Sequence, residues 1–203
     1  MFPSFRTDLA MPSVLELCAG RSAATVYEAI GKRGEVGPSL YPINPGKLLL
    51  GCAYTVRCFV GDAKPIWWAI AEAPAGSVIA IDCGGTSMAT AIGGTSVLAA
   101  SRRGIAGLIT NGAVRDIAEI RASTMPVYAT GVSVRGTSKS SDGWQQIPIC
   151  LGQAVINPGD LVVGDEDGLV IVDQKLFLDL PSMLARQVSR ETEIDPVLGS
   201  KHT

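Results

Sequence analysis

Arg115 and Asp116 stand side by side in Gly112-Ala-Val-Arg-Asp116, behind the apolar run Gly104-Ile-Ala-Gly-Leu-Ile109 and ahead of Ile117-Ala-Glu-Ile120. The run reads as a buried strand and the segment after the pair as the first turn of a helix. A cation and an anion at a strand-to-helix junction sit where open α/β proteins gather ligands. A fixed guanidinium can hold a carboxylate by two parallel hydrogen bonds, and a carboxylate can hold a hard divalent cation. The pair therefore points to chemistry on a small acidic molecule. The competing reading is a surface ion pair in which Asp116 merely complements the helix dipole.

A second segment, Ala91-Ile-Gly-Gly-Thr-Ser-Val-Leu98, places Gly93 and Gly94 ahead of Thr95, Ser96 and an expected helix. Backbone N–H groups at a helix start favour anions, and glycine lets a ligand approach closely. The alternative is an ordinary glycine-rich loop with a Ser or Thr cap. The segment is neither a dinucleotide fingerprint nor a phosphate loop, because the lysine is missing.

What is absent narrows the chemistry further. The single histidine is His202, which leaves no Ser-His-Asp triad, Cys-His pair or histidine-rich metal site. Five cysteines, Cys18, Cys52, Cys58, Cys83 and Cys150, mostly lie in apolar runs and read as small buried hydrophobes. Cys52 and Cys58 share strand parity and are expected to face the same way. Net charge is −2 with no run of like charges, so no basic stripe marks a nucleic-acid partner. No apolar segment approaches the roughly 20 residues of a membrane span, and the N-terminal residues lack a signal pattern. A cytoplasmic protein is expected.

The elements that must position these residues alternate strand and helix through the middle of the 203-residue chain, and strands crowd its C-terminal third. Helices are expected over 13–33, in two pieces, with Ser13 and either Ser22 or Thr25 as caps, then from Pro65 to Ala73, 96–103, 117–123 and along the tail from 175. Strands are expected over 47–60, 77–82, 105–110, 125–131, 147–150, 153–156, 161–163 and 169–172, the last two joined by a hairpin turn at Asp165-Glu-Asp-Gly168. This pattern predicts one mixed α/β domain over 1–203, with a core of about 20–175 and a helical tail over 176–203, and a sheet partly parallel and partly antiparallel. The 47% of hydrophobic residues against 18% charged hints at surface buried between subunits. Asn44-Pro-Gly-Lys-Leu-Leu-Leu-Gly51 and Asn157-Pro-Gly-Asp-Leu-Val-Val-Gly164 echo one another as proline-glycine turns launching strands.

Taken in order, Gly93-Gly-Thr-Ser96, the run 102–116, Met125-Pro-Val-Tyr-Ala-Thr-Gly131 and the segment 157–172 resemble the RraA-like family. That family holds 4-hydroxy-4-methyl-2-oxoglutarate / 4-carboxy-4-hydroxy-2-oxoadipate aldolases and the RraA regulators of ribonuclease E. The resemblance spans roughly 20–175. It implies a swivelling β/β/α sandwich and a homotrimer, or a hexamer, with sites between subunits. It further implies that Gly93, Gly94, Thr95 and Ser96 bind a pyruvyl carboxylate, that Arg115 grips the oxo acid, and that Asp116 anchors Mg²⁺ or Mn²⁺ largely through water. Many of the aldolases carry an acidic residue where Gly94 stands here. Their C-terminal helix lends an acidic residue to the next subunit, a role open to Glu191 or Glu193. The implied reaction is metal-dependent cleavage of a 4-hydroxy-2-oxo acid to pyruvate, with oxaloacetate decarboxylation as a side activity. The alternative is a non-catalytic regulator that docks on a ribonuclease. A Schiff-base aldolase would need a desolvated lysine, yet Lys32, Lys47, Lys64, Lys139 and Lys175 fall in turns or polar stretches.

Overall fold

A computed structural model describes residues 11–85 and 89–199. His202 and Thr86 lie outside the described residues. The chain runs α1 (Met11–Cys18), α2 (Ala23–Ala29), β1 (Tyr41–Pro42), β2 (Leu49–Arg57), α3 (Lys64–Glu72), β3 (Ser77–Asp82), β4 (Thr90–Ile92), α4 (Gly94–Arg102), β5 (Gly107–Thr110), β6 (Ala113–Val114), α5 (Ile117–Ala122), β7 (Val127–Ala129), β8 (Gly131–Val132), β9 (Trp144–Gln145), β10 (Ile149–Leu151), β11 (Ala154–Ile156), β12 (Leu161–Asp165), β13 (Gly168–Val172) and α6 (Leu180–Gly199).

The main sheet has the order β1-β7-β5-β3-β2-β12-β13, with β9 added on β2. Its centre is parallel (β2, β3, β5, β7), whereas β1, β9, β12 and β13 join antiparallel. The expected mixed α/β architecture is what the chain adopts. β3 is buried at all six positions, so its continuous apolar run is the signature of a strand covered on both faces. One face meets α3, α4 and α5 through Ile66, Ile70, Val97 and Ile120, which pack on Val56, Ile79, Ile81 and Leu108. Further along the same face, Cys18, Val26 and Leu184 pack on Leu161, Val163 and Val170. The opposite face carries Ala53, Val78, Ala80 and Ile109 under the β10–β11 hairpin residues Ile149, Leu151 and Ile156. Cys52 and Cys58 lie on one face, as their parity predicts.

Several boundaries moved. Ser13 lies within α1 (Met11–Cys18) rather than at its start. Ser22 caps α2, its hydroxyl accepting from Thr25 N. α4 starts at Gly94 rather than Ser96. β1, β4, β6, β8 and β9 were not expected, because two or three residues show no periodicity.

The two echoing turns differ in their tasks. Gly46 and Gly159 both adopt positive φ (82° and 86°), the shared turn chemistry. The strands they launch, β2 and β12, are antiparallel neighbours, with Leu161 opposite Cys52. Asn44 does more than start a turn. Its amide donates to Ile120 O (3.1 Å) and Met125 O (2.8 Å) and its oxygen accepts from Val127 N (3.0 Å), fastening the end of α5 to β7.

Candidate functional site

The site grows from three short parallel strands, β4, β6 and β8, which form a small sheet of their own. Ala91, Ile92 and Val114 tie this sheet into the core beneath α3–α5. Ile92 pairs with Val114, so the residues that follow each strand emerge together at the carboxyl edge. Beyond β4 these are 93–96; beyond β6 they are Arg115 and Asp116. Two segments 22 residues apart thus form one surface, at the edge where parallel strands present their ligands.

Asp116 is held in a left-handed conformation (φ 60°, ψ 46°). A non-glycine residue there costs of order 1 kcal/mol, least for Asn and Asp. The turn aims the carboxylate away from its own helix: Asp116 precedes α5 but makes no cap hydrogen bond to it. Oδ2 instead accepts from Gly94 N at 3.0 Å. This settles what caps α4. Gly93 occupies the cap position without a side chain, and neither Thr95 nor Ser96 serves; the carboxylate arrives from across the sheet.

Arg115 N donates to Ile92 O (3.0 Å), which fixes the backbone of the pair on β4. Its Nε lies 3.6 Å from Asp116 Oδ2, and about half of each side chain is exposed. The rest of the guanidinium fork remains open to a ligand. Exposed ion pairs contribute little stability, so this one is not explained as a strut.

Glycine at 93 is a requirement of close approach. A Cβ there would sit 2.7 Å from Asp116 Oδ2 and 3.3 Å from Arg115 Nε. At Gly94 a Cβ would overlap the Glu119 carboxylate, with Glu119 Cδ only 2.8 Å away. Thr95 is exposed at the mouth, and Ser96 is buried and its N donates to Gly93 O at 3.0 Å. Of the four amides expected to form an anion cradle, those of Gly94 and Ser96 already have acceptors within the chain.

A loop over 133–143 forms the outer wall. A Cβ on Gly136 would be 3.3 Å from Arg115 Nη1, so the loop passes directly against the guanidinium. Asp62 anchors it: Oδ2 accepts from Ser138 Oγ (2.8 Å), Ser140 N (2.8 Å), Ser140 Oγ (2.9 Å) and Ser141 N (2.9 Å). Oδ1 accepts from Lys64 N (2.9 Å) at the start of α3. Burial alone would raise this carboxyl, but the converging donors from Lys64, Ser140 and Ser138 hold it well below the usual carboxylate range. Sequence reasoning missed both Glu119 and Asp62. Glu119 had a signal, its spacing of three from Asp116 on a helix. Asp62 had none for its hold on the loop, because Ser138 lies 76 residues away.

A divalent cation is compatible with these residues. The donors are hard carboxylate oxygens beside a glycine cradle. Among the described residues no group of three or more His, Cys, Asp or Glu could hold a metal. Such a site suits an ion that keeps most of its water, as Mg²⁺ does, and not a closed tetrahedral centre. None of the described lysines is fully buried, so no desolvated amine is at hand for a Schiff base. Glu191 accepts from Thr25 Oγ1 (3.2 Å) and Gln187 Nε2 (3.1 Å) of its own chain, and Glu193 is exposed. No described helix is long and apolar enough to cross a membrane.

Comparison with known proteins places this geometry in context. Residues 23–171 match the family model RraA-like, Aldolase/RraA. A Halalkalibacterium halodurans protein named "Putative 4-hydroxy-4-methyl-2-oxoglutarate aldolase" is 36% identical over 148 residues, 72% of this chain and 70% of that protein. Among solved structures, an uncharacterized protein from Pseudomonas syringae is similar with a TM-score of 0.79 at 27% identity, over 95% of this chain and 94% of that one. The RNA-processing inhibitor RraA from Thermus is similar with a TM-score of 0.63 at 26% identity, over 66% of this chain and 82% of that one.

Proposed function

This chain belongs to the RraA-like family, and on that footing we propose that it is a divalent-metal-dependent lyase of the cytoplasm, cleaving a 4-hydroxy-2-oxo acid to pyruvate and a second oxo acid. The observation that carries the reading is the junction of Arg115, Asp116 and Gly94 at one sheet edge, with Asp116 Oδ2 3.0 Å from Gly94 N. Aldolase names among the relatives support the same reaction class.

The residues divide the work. Arg115 binds the substrate carboxylate through its fork, assisted by the amide of the exposed residue Thr95 at the positive end of α4. Asp116 holds Mg²⁺ or Mn²⁺, with water completing the shell. When bound, that cation supplies Lewis-acid polarisation of the 2-oxo group and stabilises the developing enolate charge. Gly93 keeps the floor free of side chains so that substrate oxygens reach Asp116. The loop over 133–143 limits water on the Arg115 side. With no histidine among the described residues, an ordered water takes the hydroxyl proton. Oxaloacetate decarboxylation shares the enolate and accompanies the main reaction.

The test is pyruvate release from 4-hydroxy-4-methyl-2-oxoglutarate and from oxaloacetate. The expected result is turnover with Mg²⁺ or Mn²⁺ that EDTA stops. No pyruvate from either substrate under these conditions overturns the enzyme reading. The similarity to the Thermus RNA-processing inhibitor favours one second reading, a regulator that docks on a ribonuclease. Inhibition of such a nuclease by a protein without lyase activity would establish it.

A further inference from the structure

β2 and β3 run parallel, and their register sets Arg57 opposite Asp82. The ladder continues one step further, where Cys58 N donates to Asp82 O at 2.8 Å. That bond places Cys58 opposite Cys83, each just beyond the end of its strand. Paired strands lie about 4.8 Å apart, inside the roughly 4.4–6.8 Å between Cα atoms that a disulfide spans. Residues opposite one another point to the same face, and both side chains are buried in the cluster beneath α3–α5, continuing the rows of Val56 and of Ile79 and Ile81. Two free thiols thus stand side by side. A cavity of about 340 Å³ reaches Cys58 between Arg57, Val60, Gly84 and Trp144.

Their surroundings set these two apart from other cysteines of the chain. Burial pushes Cys18 and Cys52 up to about 11, which leaves them unreactive. Cys58 and Cys83 act on one another instead. The contact with Cys58 draws Cys83 below the ordinary thiol value against its burial, and the same contact, with burial, pushes Cys58 up. The pair gives up a first proton more readily than an isolated thiol and a second less readily. Cys83 is also fastened to the turn that carries the site. Its N donates to Asn111 Oδ1 (2.7 Å), its Sγ lies 3.8 Å from Thr110 Oγ1, and a Cβ on Gly112 would lie 3.4 Å from its own Cβ. Thr110-Asn-Gly112 leads straight into β6, Arg115 and Asp116.

We propose that Cys58 and Cys83 form a reversible dithiol that closes to a disulfide on meeting a hydroperoxide, and that closure loosens the turn carrying Arg115 and Asp116. One sulfur, as thiolate, attacks an oxygen of the hydroperoxide. The O–O bond breaks, that sulfur becomes a sulfenic acid, and the departing oxygen takes up a proton to leave as water or an alcohol. The second thiol then attacks the sulfenic sulfur. The S–O bond breaks, the oxygen leaves as water with the second thiol's proton, and the S–S bond forms. The two sulfurs lose two electrons and the peroxide gains them. To form the bond, Cys83 Sγ turns from Thr110 toward Cys58, and the turn loses that contact. The inference stands apart from whichever reaction occurs at Arg115 and Asp116.

The experiment treats the reduced full chain with hydrogen peroxide, quenches it in denaturant with an alkylating agent, and counts thiols. The five thiols of the chain are expected to fall by two. Peptide mass mapping is expected to find a bond between the peptides holding Cys58 and Cys83, lighter by two hydrogens, and dithiothreitol to restore all five thiols. Cys150→Ser, which removes an exposed thiol, is expected to close the same bond. Cys58→Ala and Cys83→Ala are expected to form no internal disulfide. The wild-type peptide map decides the pairing by itself should either variant fail to fold. Hydrogen exchange over residues 110–116 is expected to be faster in the oxidised chain than in the reduced one. Five thiols kept under peroxide, or a bond that joins other cysteines, overturns the inference. A Cys58–Cys83 bond with unchanged exchange over 110–116 overturns the link to the site.

Discussion

At the scale of single residues, the left-handed turn at Asp116 is where sequence and function meet. The residue accepts a backbone geometry that most side chains resist, and the return is a carboxylate placed under the start of another helix. This makes the choice of substitution decisive. Asp116→Ala adds about 1 kcal/mol of backbone cost to the lost carboxylate and confuses two effects. Asp116→Asn keeps the left-handed turn and, through Oδ1, the hydrogen bond from Gly94 N. It is expected to unfold within a degree or two of wild type while losing Mg²⁺-dependent turnover; retained metal dependence in this variant would place the cation elsewhere. Arg115 calls for the opposite choice. Lysine preserves the charge but not the planar fork. Arg115→Lys is therefore expected to lower kcat/KM on the order of 10²-fold, equivalent to about 3 kcal/mol and mostly through KM, because two charge-assisted hydrogen bonds become one. Steady-state kinetics on oxaloacetate reads this directly.

At the scale of elements, the long pieces were legible in the sequence and the short ones were not. β3 and α3 could be read because six buried residues in a row, or a proline near a helix start, leave a local mark. The sheet that positions the site could not. β4 has three residues and β6 and β8 two each, and their pairing is created by the packing of Ile92 and Val114 on the core. The motif residues were thus visible while the strands beneath them were not. The same holds for the two side chains that fix the surroundings. Asn44 looked like a turn residue and proves to be a buried fastener of α5 and β7. Asn44→Ala takes the partner from Val127 N–H and Met125 O, while Ile120 O keeps its bond from Ser123 N, and a cost of roughly 2–4 kcal/mol follows. In a chain of this length that lowers Tm by roughly 5–12 °C, measurable by calorimetry. Asp62 governs the loop over Arg115, and its contribution depends on pH. Because its folded-state pKa is depressed, the stability it supplies is complete above the unfolded value of about 3.9 and is lost as pH falls through the lower folded value. The stability difference between wild type and Asp62→Asn is therefore expected to be full at pH 5–7 and to shrink as pH drops below about 4, seen in urea unfolding across that range.

At the scale of the whole molecule, the site is half a pocket. Arg115 and Asp116 keep 47% and 39% of their side chains exposed, whereas small-molecule sites cover most of their ligand. A second surface must close it. The chain also presents Phe59, Val60 and Trp144 at 52%, 60% and 47% exposure, with the Phe59 and Trp144 rings tilted against each other, their centroids 5.1 Å apart. Contiguous apolar groups of this kind mark association surfaces. The two features have one economical solution, a homo-oligomer in which a neighbouring copy covers the apolar patch and completes the site. Light scattering is expected to give three times the chain mass of 21.1 kDa, or six times if trimers pair. Val60→Asp sets a charge in that patch without touching Arg115, Asp116 or Gly94. Burying an uncompensated carboxylate costs several kcal/mol, enough to dissociate the assembly at micromolar concentration. If a neighbour does complete the pocket, pyruvate release falls in step with the oligomer as the variant is diluted. A monomeric Val60→Asp with wild-type turnover would show instead that one chain holds the whole site.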